Sequence, residues 1–345
     1  MKEQRNSQAQ RQPTDRRIPP PRAMLQRLTQ ARSLLVVCHA RPDGDALGCV
    51  AALTQSARDS GRSAFMLVPD AIPRQYAFLF ADERPQAVQE FAQLAQRCEA
   101  IVVVDTCSFG QLDSLDDVLK CHLDKVLVID HHCTADSLSA VQWQDASAAA
   151  AGLMLYELLG ELGWPMGRRT LEALAVAILT DTGWLRFPNT DSRCLCAAAR
   201  LIDAGVGLDV LYRRLYQADR PQRLRLMARM LDSLELHSDG RLAMMRLRDE
   251  DFTASGAGCD ETENLINEAM RLDGVEVAAL LVEADKTVRV SLRSRSVVDV
   301  SAVAGRFGGG GHERAAGLRS TEPLEKVYQE ISRACAEALG CAEGD

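Results

Sequence analysis

The sequence predicts an α/β protein of two domains, a larger one with a mainly parallel sheet covered by helices and a smaller α/β one, joined by a helical linker. Three observations carry this prediction. Short, fully apolar, β-branched runs alternate with helix-period segments through the first half of the chain, the pattern of strands buried on both faces. The strand and helix alternation restarts after a charged amphipathic helix begun near Pro221. The length, 345 residues, fits one large or two ordinary domains.

Residues 1–22 are polar and proline-rich, carry six basic residues and lack an apolar core. They fail as a secretory signal, which needs an apolar stretch, and are expected to form a disordered tail. "SLLVVCH" (33–39) is the first strand candidate, and "DALGCVAALTQSARDSG" (45–61) is a helix closed by Gly61. "FMLVP" (65–69), "AIVVVD" (100–105) and "KVLVID" (125–130) are further strands, with "PQAVQEFAQLAQR" (85–97) helical between them. "AAAAGLMLYELLGELG" and "RRTLEALAVAILTDTG" continue as helices and complete a domain over 23–217. The amphipathic segment "ADRPQRLRLMARMLDSLEL" reads as the linker helix, within 218–237. The second domain, 238–345, begins with strand "GRLAMMRL" (240–247) and helix "CDETENLINEAMRL" (259–272). Strands "EVAALLVEA" (276–284) and "TVRVSLRS" (287–294), a glycine-rich loop and a last helix (322–340) complete it.

At 47% hydrophobic and 26% charged residues the composition is that of an ordinary globular protein. The longest apolar run, "LEALAVAIL" (171–179), is too short to span a bilayer and contains Glu172, so no membrane partner is expected. The eleven cysteines form no CxxC pair. Without a signal segment they point to a reducing cytoplasm, and Cys38, Cys107 and Cys133 read as small packing residues beside candidate ligands. A net charge of −8 argues against coating long nucleic acid. Residues 286–319 nonetheless hold seven Lys/Arg against Asp299 and Glu313, the pattern of a confined anion site.

Three strand candidates end in carboxylates or imidazoles. "LLVVC" runs into His39, Asp43 and Asp45, "AIVVV" into Asp105, and "KVLVI" into Asp130, His131 and His132. The helix "LEALAVAILT" ends in Asp181. In parallel sheets, ligands bind at the carboxyl ends of the strands. One such residue is an ordinary turn or core residue; the joint occurrence marks a site. Four of the six histidines in the chain, His39, His131, His132 and His312, fall in these polar clusters. Mixed His and Asp donors suit Mn²⁺, Fe²⁺ or Co²⁺ better than Ca²⁺. The carboxylates suffice for two metals sharing one of them, a pair about 3.5–4 Å apart that activates a water for displacement at phosphorus.

These motifs resemble the DHH phosphoesterase superfamily. "HARPDGDALG", "VVVDT" (102–106), "VIDHH" and "LTDTGWLRFPNT" (179–190) are similar to its four motifs in order. "VSLRSRSVVDVSAVAGRFGGGGHERAAG" (290–317) is similar to its DHH-associated C-terminal domain. The length and the "FPNT" of the fourth motif are most similar to the NanoRNase branch of oligoribonucleases and pAp phosphatases. The resemblance implies an enzyme that degrades short single-stranded RNA and dinucleotides to mononucleotides, that also acts on pAp, and that takes no long duplex. It implies two divalent ions, expected to be Mn²⁺: His39 and Asp43 on one, Asp45, His131 and Asp181 on the other, and Asp105 bridging. Asp130 would support them from behind, and His132 would face the phosphate or the leaving oxygen. Arg293, Ser294, Gly309, Gly310, Gly311 and His312 would bind a substrate phosphate. A homodimer is compatible with this reading. The rival enzyme is a soluble phosphodiesterase of linear or cyclic dinucleotides, and the rival of another class is a nucleotide-binding module without catalysis.

Overall fold

The computed structural model describes residues 17–341 apart from 82, 113–114, 133–137, 140 and 285, with the side chains of 312 and 341 also outside that description. Most of the tail expected over 1–22, and Cys133, lie outside the described residues. The chain divides into two compact units, the first ending at Ala218 and the second beginning at Asp219.

The first unit is built on a five-stranded sheet of order β2-β1-β3-β4-β5, parallel throughout. The strands are β1 (Ser33–Cys38), β2 (Ser63–Leu67), β3 (Ala100–Val104), β4 (Val126–Asp130) and β5 (Gln142–Gln144). Helices α1 (Arg22–Gln30), α2 (Gly44–Asp59), α3 (Phe91–Arg97), α4 (Asp116–Lys120), α5 (Ala151–Leu162), α6 (Arg168–Asp181), α7 (Ser192–Asp203) and α8 (Leu208–Tyr216) surround it. Successive strand residues face opposite sides, so every residue of a fully apolar strand finds a core. Leu34, Val36, Val102, Val104 and Leu127 pack under the layer containing α2, α5 and α6. Leu35, Val37, Ile101, Val103 and Val128 pack under Phe91 and Leu94 of α3 and Leu119 of α4. The chain passes from the edge strand β2 across β1 to β3, so the order reverses between β1 and β3. A crevice for ligands opens at the carboxyl ends of strands at such a point.

The second unit has a mixed six-stranded sheet of order β10-β11-β9-β8-β7-β6. Its strands are β6 (Glu235–His237), β7 (Leu242–Leu247), β8 (Val277–Ala284), β9 (Thr287–Ser294), β10 (Gly310–His312) and β11 (Ala315–Ser320). The β7–β8 pair is parallel and the other pairs are antiparallel. Helices α11 (Val300–Gly305) and α12 (Leu324–Cys341) cover one face of the sheet. Helix α9 (Pro221–Asp232), against which α10 (Asp249–Ser255) packs, puts Leu226 and Met230 into the core of the other face, with Leu265 and Ile266. The segment read as a linker is therefore packed as part of the second unit.

Several local expectations are corrected. The continuous helix expected over 259–272 is two 3₁₀ segments, Cys259–Thr262 and Leu265–Arg271. Asn264 separates them at φ +62°, a left-handed conformation that asparagine tolerates and that no α-helix continues through. The helix expected over 85–97 is confined to Phe91–Arg97 after a 3₁₀ turn. The last part of the expected tail is held in place. The Ile18 carbonyl accepts a hydrogen bond from Trp143 Nε1 at 2.8 Å, and Arg17 pairs with Glu157 at 3.0 Å.

Candidate metal centre

The carboxyl ends of β1, β3 and β4 bring together the side chains singled out in the sequence. Three groups have donor atoms within 4.8 Å of one another: His39, Asp43 and Asp105; Asp45, His131 and Asp181; and Asp105, His131 and His132. Asp105 belongs to two of them, with Oδ2 3.5 Å from His39 Nε2 and Oδ1 3.5 Å from His131 Nε2. His131 Nε2 also lies 3.6 Å from Asp181 Oδ2 and 3.8 Å from Asp45 Oδ2.

The local sequence explains each placement. Asp43 is the N-cap of α2: its Oδ1 accepts from the amides of Asp45 and Ala46 at 3.0 and 3.1 Å, which leaves the second oxygen for a ligand. Asp45 is buried, and its carboxylate accepts from the amides of Ala151 and Gly152 at 2.7 and 2.8 Å, at the positive N-terminus of α5. Asp105 leaves β3 at φ +60°, which aspartate adopts more readily than most residues, and this turns its carboxylate into the cluster. His39 and His131 each place Nδ1 near a backbone carbonyl, Ala40 at 2.9 Å and Ala148 at 3.3 Å. A proton held there directs Nε2 inward as the free donor. Asp130, fully buried, holds His132 Nδ1 at 2.7 Å from its Oδ1.

The cluster concentrates negative charge. Burial raises the Asp181 pKa to about 7, and the charges of Asp105 and Asp43 push the same way against His131. Burial and neighbouring carboxylates push Asp45 well above its usual range. Burial opposes protonation of His39, yet Asp105 outweighs it and lifts the pKa to about 9. His131 moves in the same direction for the same reason. Burial also opposes ionisation of Asp105, but His131 and His39 hold it below the usual carboxylate range. The donor set fits a divalent cation. It is mixed nitrogen and oxygen, and Asp105 Oδ1 and Asp130 Oδ2 are buried without a hydrogen-bond partner among the described residues.

Residues 33–178 match the DHH family, N-terminal domain, and residues 252–340 match the DHHA1 domain. The chain has a DHH and DHHA1 two-domain architecture. It is 29% identical over 312 residues to the bifunctional oligoribonuclease and PAP phosphatase NrnA of Thermus thermophilus, covering 89% of this chain and 90% of that one. It is 26% identical over 305 residues to the protein of the same name from Bacillus subtilis, covering 87% and 93%. In fold it is similar to an exopolyphosphatase-related protein from Bacteroides fragilis, with a TM-score of 0.89 at 21% identity over 93% of this chain and 96% of that one.

Sequence reasoning missed the groups that hold the candidate DHH ligands in place. Helices α2, α5 and α6 meet through small residues. A Cβ on Gly44 would lie 2.4 Å from Thr180 Oγ1, and one on Gly48 2.5 Å from the Ala173 carbonyl. One on Gly152 would lie 2.3 Å from Ala177 Cβ and 3.2 Å from Asp45 Oδ1. The glycines of "DGDALG" thus let α2 lie against α6, which ends in Asp181. Asn189 of "FPNT" donates to the carbonyls of Ala149 and Asp181 at 2.9 and 3.1 Å, tying the end of α6 to the start of α5. Spacing of small residues four apart signals such contacts, but does not name the partner helix. Cys38 and Cys49 are buried thiols with pKa values raised by that burial, in keeping with packing roles.

In the DHHA1 domain, Arg293 and Ser294 end β9, and Gly310, Gly311 and His312 form β10. The glycines differ in what requires them. A Cβ on Gly309 would lie 2.4 Å from the Gly317 carbonyl, and one on Gly311 2.5 Å from the Ala315 carbonyl. Both are demanded by the close approach of β11. Gly310 has nothing within 4 Å of a Cβ and faces open space. Ser294 is tied to the DHHA1 core: its hydroxyl donates to Glu276 Oε1 at 3.3 Å. Arg293 Nη1 donates to the Leu292 carbonyl at 3.0 Å.

Proposed function

We propose that this protein is a metal-dependent phosphoesterase that hydrolyses short single-stranded RNA, dinucleotides included, to mononucleotides, and that it also removes the 3′-phosphate of pAp. The observation that carries the reading is Asp105, shared by two donor groups at the switch point of the DHH sheet. The NrnA relatives, matched across both domains, support the substrate class.

His39 and Asp43 would hold one ion and Asp45, His131 and Asp181 a second, with Asp105 within reach of both groups. Nitrogen and oxygen donors together favour Mn²⁺ over Ca²⁺. When bound, such ions lower the pKa of a water and offset charge on a phosphoryl group. The protein's own residues do the rest. Carbonyl contacts at Nδ1 keep His39 and His131 aimed inward, and the α5 amides fix Asp45. Burial opposes protonation of His132, while its hydrogen bond to Asp130 raises the pKa and fixes Nδ1, which positions the ring to hand a proton to the leaving oxygen. Arg293, Ser294, His312 and the glycine loop at Gly310 and Gly311 bind a substrate phosphate; the Gly309 amide does not, because it donates to the Ala304 carbonyl at 3.0 Å. Few phosphates are contacted, which reconciles a net charge of −8 with a nucleic-acid substrate. No helix among the described residues is long and apolar enough to cross a membrane; it is the free cysteines that lead us to place the activity in a reducing cytoplasm.

The test is a product time course with Mn²⁺ on end-labelled RNAs of graded length from dinucleotides upward, beside pAp and cyclic dinucleotides, with metal content measured on the same protein. Mononucleotides released fastest from the shortest RNAs are expected. Turnover confined to cyclic dinucleotides would favour the rival phosphodiesterase, and a metal-loaded protein that hydrolyses nothing would favour a binding module.

A further inference from the structure

The sheet of the second unit is covered unevenly on the face that carries α9. Apolar cover lies over Ala278, Leu280 and Val282 of β8. Beyond β8 the residues in register are cationic or small. Opposite those three on β9 stand Arg293, Ser291 and Arg289. Opposite these on β11 stand Ala315, Gly317 and Arg319, and Gly317 pairs in turn with Gly310 of β10. Residues directly opposite across a sheet share a face. The strip therefore reads, along the strands, as a row with Arg293, a row of Ser291, Gly317 and Gly310, and a row with Arg289 beside Arg319.

Like charges directly opposite each other destabilise a sheet. Burial, and then the charge of Arg319, lower the pKa of Arg289. Among the described residues no carboxylate forms an ion pair with Arg289, Arg293 or Arg319. Glu263 exerts the opposing charge on both Arg289 and Arg293. Arg289 donates one hydrogen bond to the Thr262 hydroxyl at the rim of the apolar cover, and a guanidinium has further donors to offer. The middle row has no side chain larger than serine, and a Cβ on Gly310 would meet nothing within 4 Å. Two opposed cations beside a floor of small residues form a seat for an anion.

We propose that Arg289 and Arg319 together bind a second phosphate of the substrate strand, one nucleotide from the phosphate assigned to Arg293. The two cationic rows are four residues apart on β9, and the small middle row leaves the space between them free for a sugar and base. Strand rise sets the distance at roughly 13 Å between the backbones of the outer rows. An arginine side chain is long enough to reach inward from either row and shorten that span toward the spacing of neighbouring phosphates. The identity of the strand rests on the phosphoesterase reading above; the anion seat does not.

The experiment compares the full-length protein with Arg289→Gln and Arg319→Gln on pApA and pApApA in Mn²⁺. Loss of a charged hydrogen bond predicts a fall of about 10- to 100-fold in kcat/KM for pApApA in each variant, with a far smaller fall for pApA. Binding of labelled pApApA to EDTA-treated protein is measured against salt; losing one phosphate contact lowers the slope of log K against log salt by about 0.7. The Arg319→Gln protein alone melts no lower than the parent, because a repulsion is removed, and Arg289→Lys keeps most of the binding. Equal losses on both substrates, or an unchanged salt slope, overturn the proposal. Should the parent hydrolyse neither RNA, the phosphoesterase reading falls by itself. The seat is then decided by tripolyphosphate: binding lost in both glutamine variants supports it, and binding retained overturns it.

Discussion

Replacing Asp105 by asparagine should remove metal-dependent stabilisation and activity while leaving the DHH fold intact. The choice of residue follows from the backbone. Asp105 sits at φ +60°, where alanine would add a cost of about 1–2 kcal/mol unrelated to ligands, whereas asparagine adopts that conformation. The substitution keeps the size and replaces one carboxylate oxygen with an amide nitrogen that cannot ligate. Each carboxylate oxygen lies 3.5 Å from a different imidazole. At an effective dielectric near 20, unit charges about 3.5 Å apart interact by about 5 kcal/mol before desolvation, so this group governs the charge balance of the cluster. A metal present at about 100 times its Kd stabilises by about 2.7 kcal/mol. For a unit of this size that is a rise in Tm of roughly 5–11 °C. The parent should show this rise between EDTA and Mn²⁺, and Asp105→Asn should show less than about a third of it. Hydrolysis should fall about a thousandfold, the equivalent of about 4 kcal/mol. Thermal melts across a Mn²⁺ titration, equilibrium dialysis for stoichiometry and initial rates on a dinucleotide provide the readouts. An asparagine variant that keeps the full Tm shift, or more than a tenth of kcat/KM, would refute the shared role of this carboxylate.

Metal uptake should release protons. With Asp181 at about 7 and His39 at about 9, both carry protons below neutrality that a cation must displace. Affinity should rise with pH up to about 9 and fall most steeply below 7; calorimetry in buffers of different ionisation enthalpy measures the release, and none at pH 7 would contradict the cluster. Gly152→Ala should destabilise the DHH unit by about 1–3 kcal/mol and weaken metal binding, since the new Cβ would press on Ala177 and Asp45; denaturant melts and dialysis report both. Glu276→Gln should cost the second unit about 1.5–3 kcal/mol at neutral pH, because its carboxylate accepts from the amides of Ser296 and Val297 at 2.9 and 2.6 Å. Although burial opposes ionisation, these bonds hold the Glu276 pKa below its usual value. Its contribution is therefore present above the ordinary glutamate range and lost as pH falls through the depressed value, so parent and variant should converge in acid.

The strands that carry the candidate ligands were legible because a parallel strand buried on both faces has a conspicuous signature, and its polar ending is a sharp break. β1, β3 and β4 fall within a residue of where the apolar runs place them. β5, Gln142–Gln144, escaped because an edge strand of three residues has no period to detect. The 259–272 segment misled because its composition is helical, while the left-handed Asn264 is a tertiary outcome that propensity does not record. The same limit applies to function. His, Asp and Arg announce themselves, but the residues that aim them are amides and glycines. Nothing in the letters "AAAAG" says that two of its N–H groups receive Asp45, a residue more than a hundred positions earlier.

The charge state of the DHH cluster also bears on why its ligands are arranged in this way. Five carboxylates, Asp43, Asp45, Asp105, Asp130 and Asp181, meet three imidazoles. Protons offset the excess: neighbouring carboxylates raise the pKa of all three imidazoles, and burial pushes Asp45 and Asp181 toward the neutral acid. Protons and divalent cations thus compete for the same positions. What the fold does not allow is relaxation of the ligands away from one another. Asp43 is bound to its helix, Asp45 to α5, and Asp181 through its backbone to Asn189. Such a cluster meets a cation with its donors already placed, so little reorganisation opposes binding, and the repulsion among carboxylates is relieved as the ion enters.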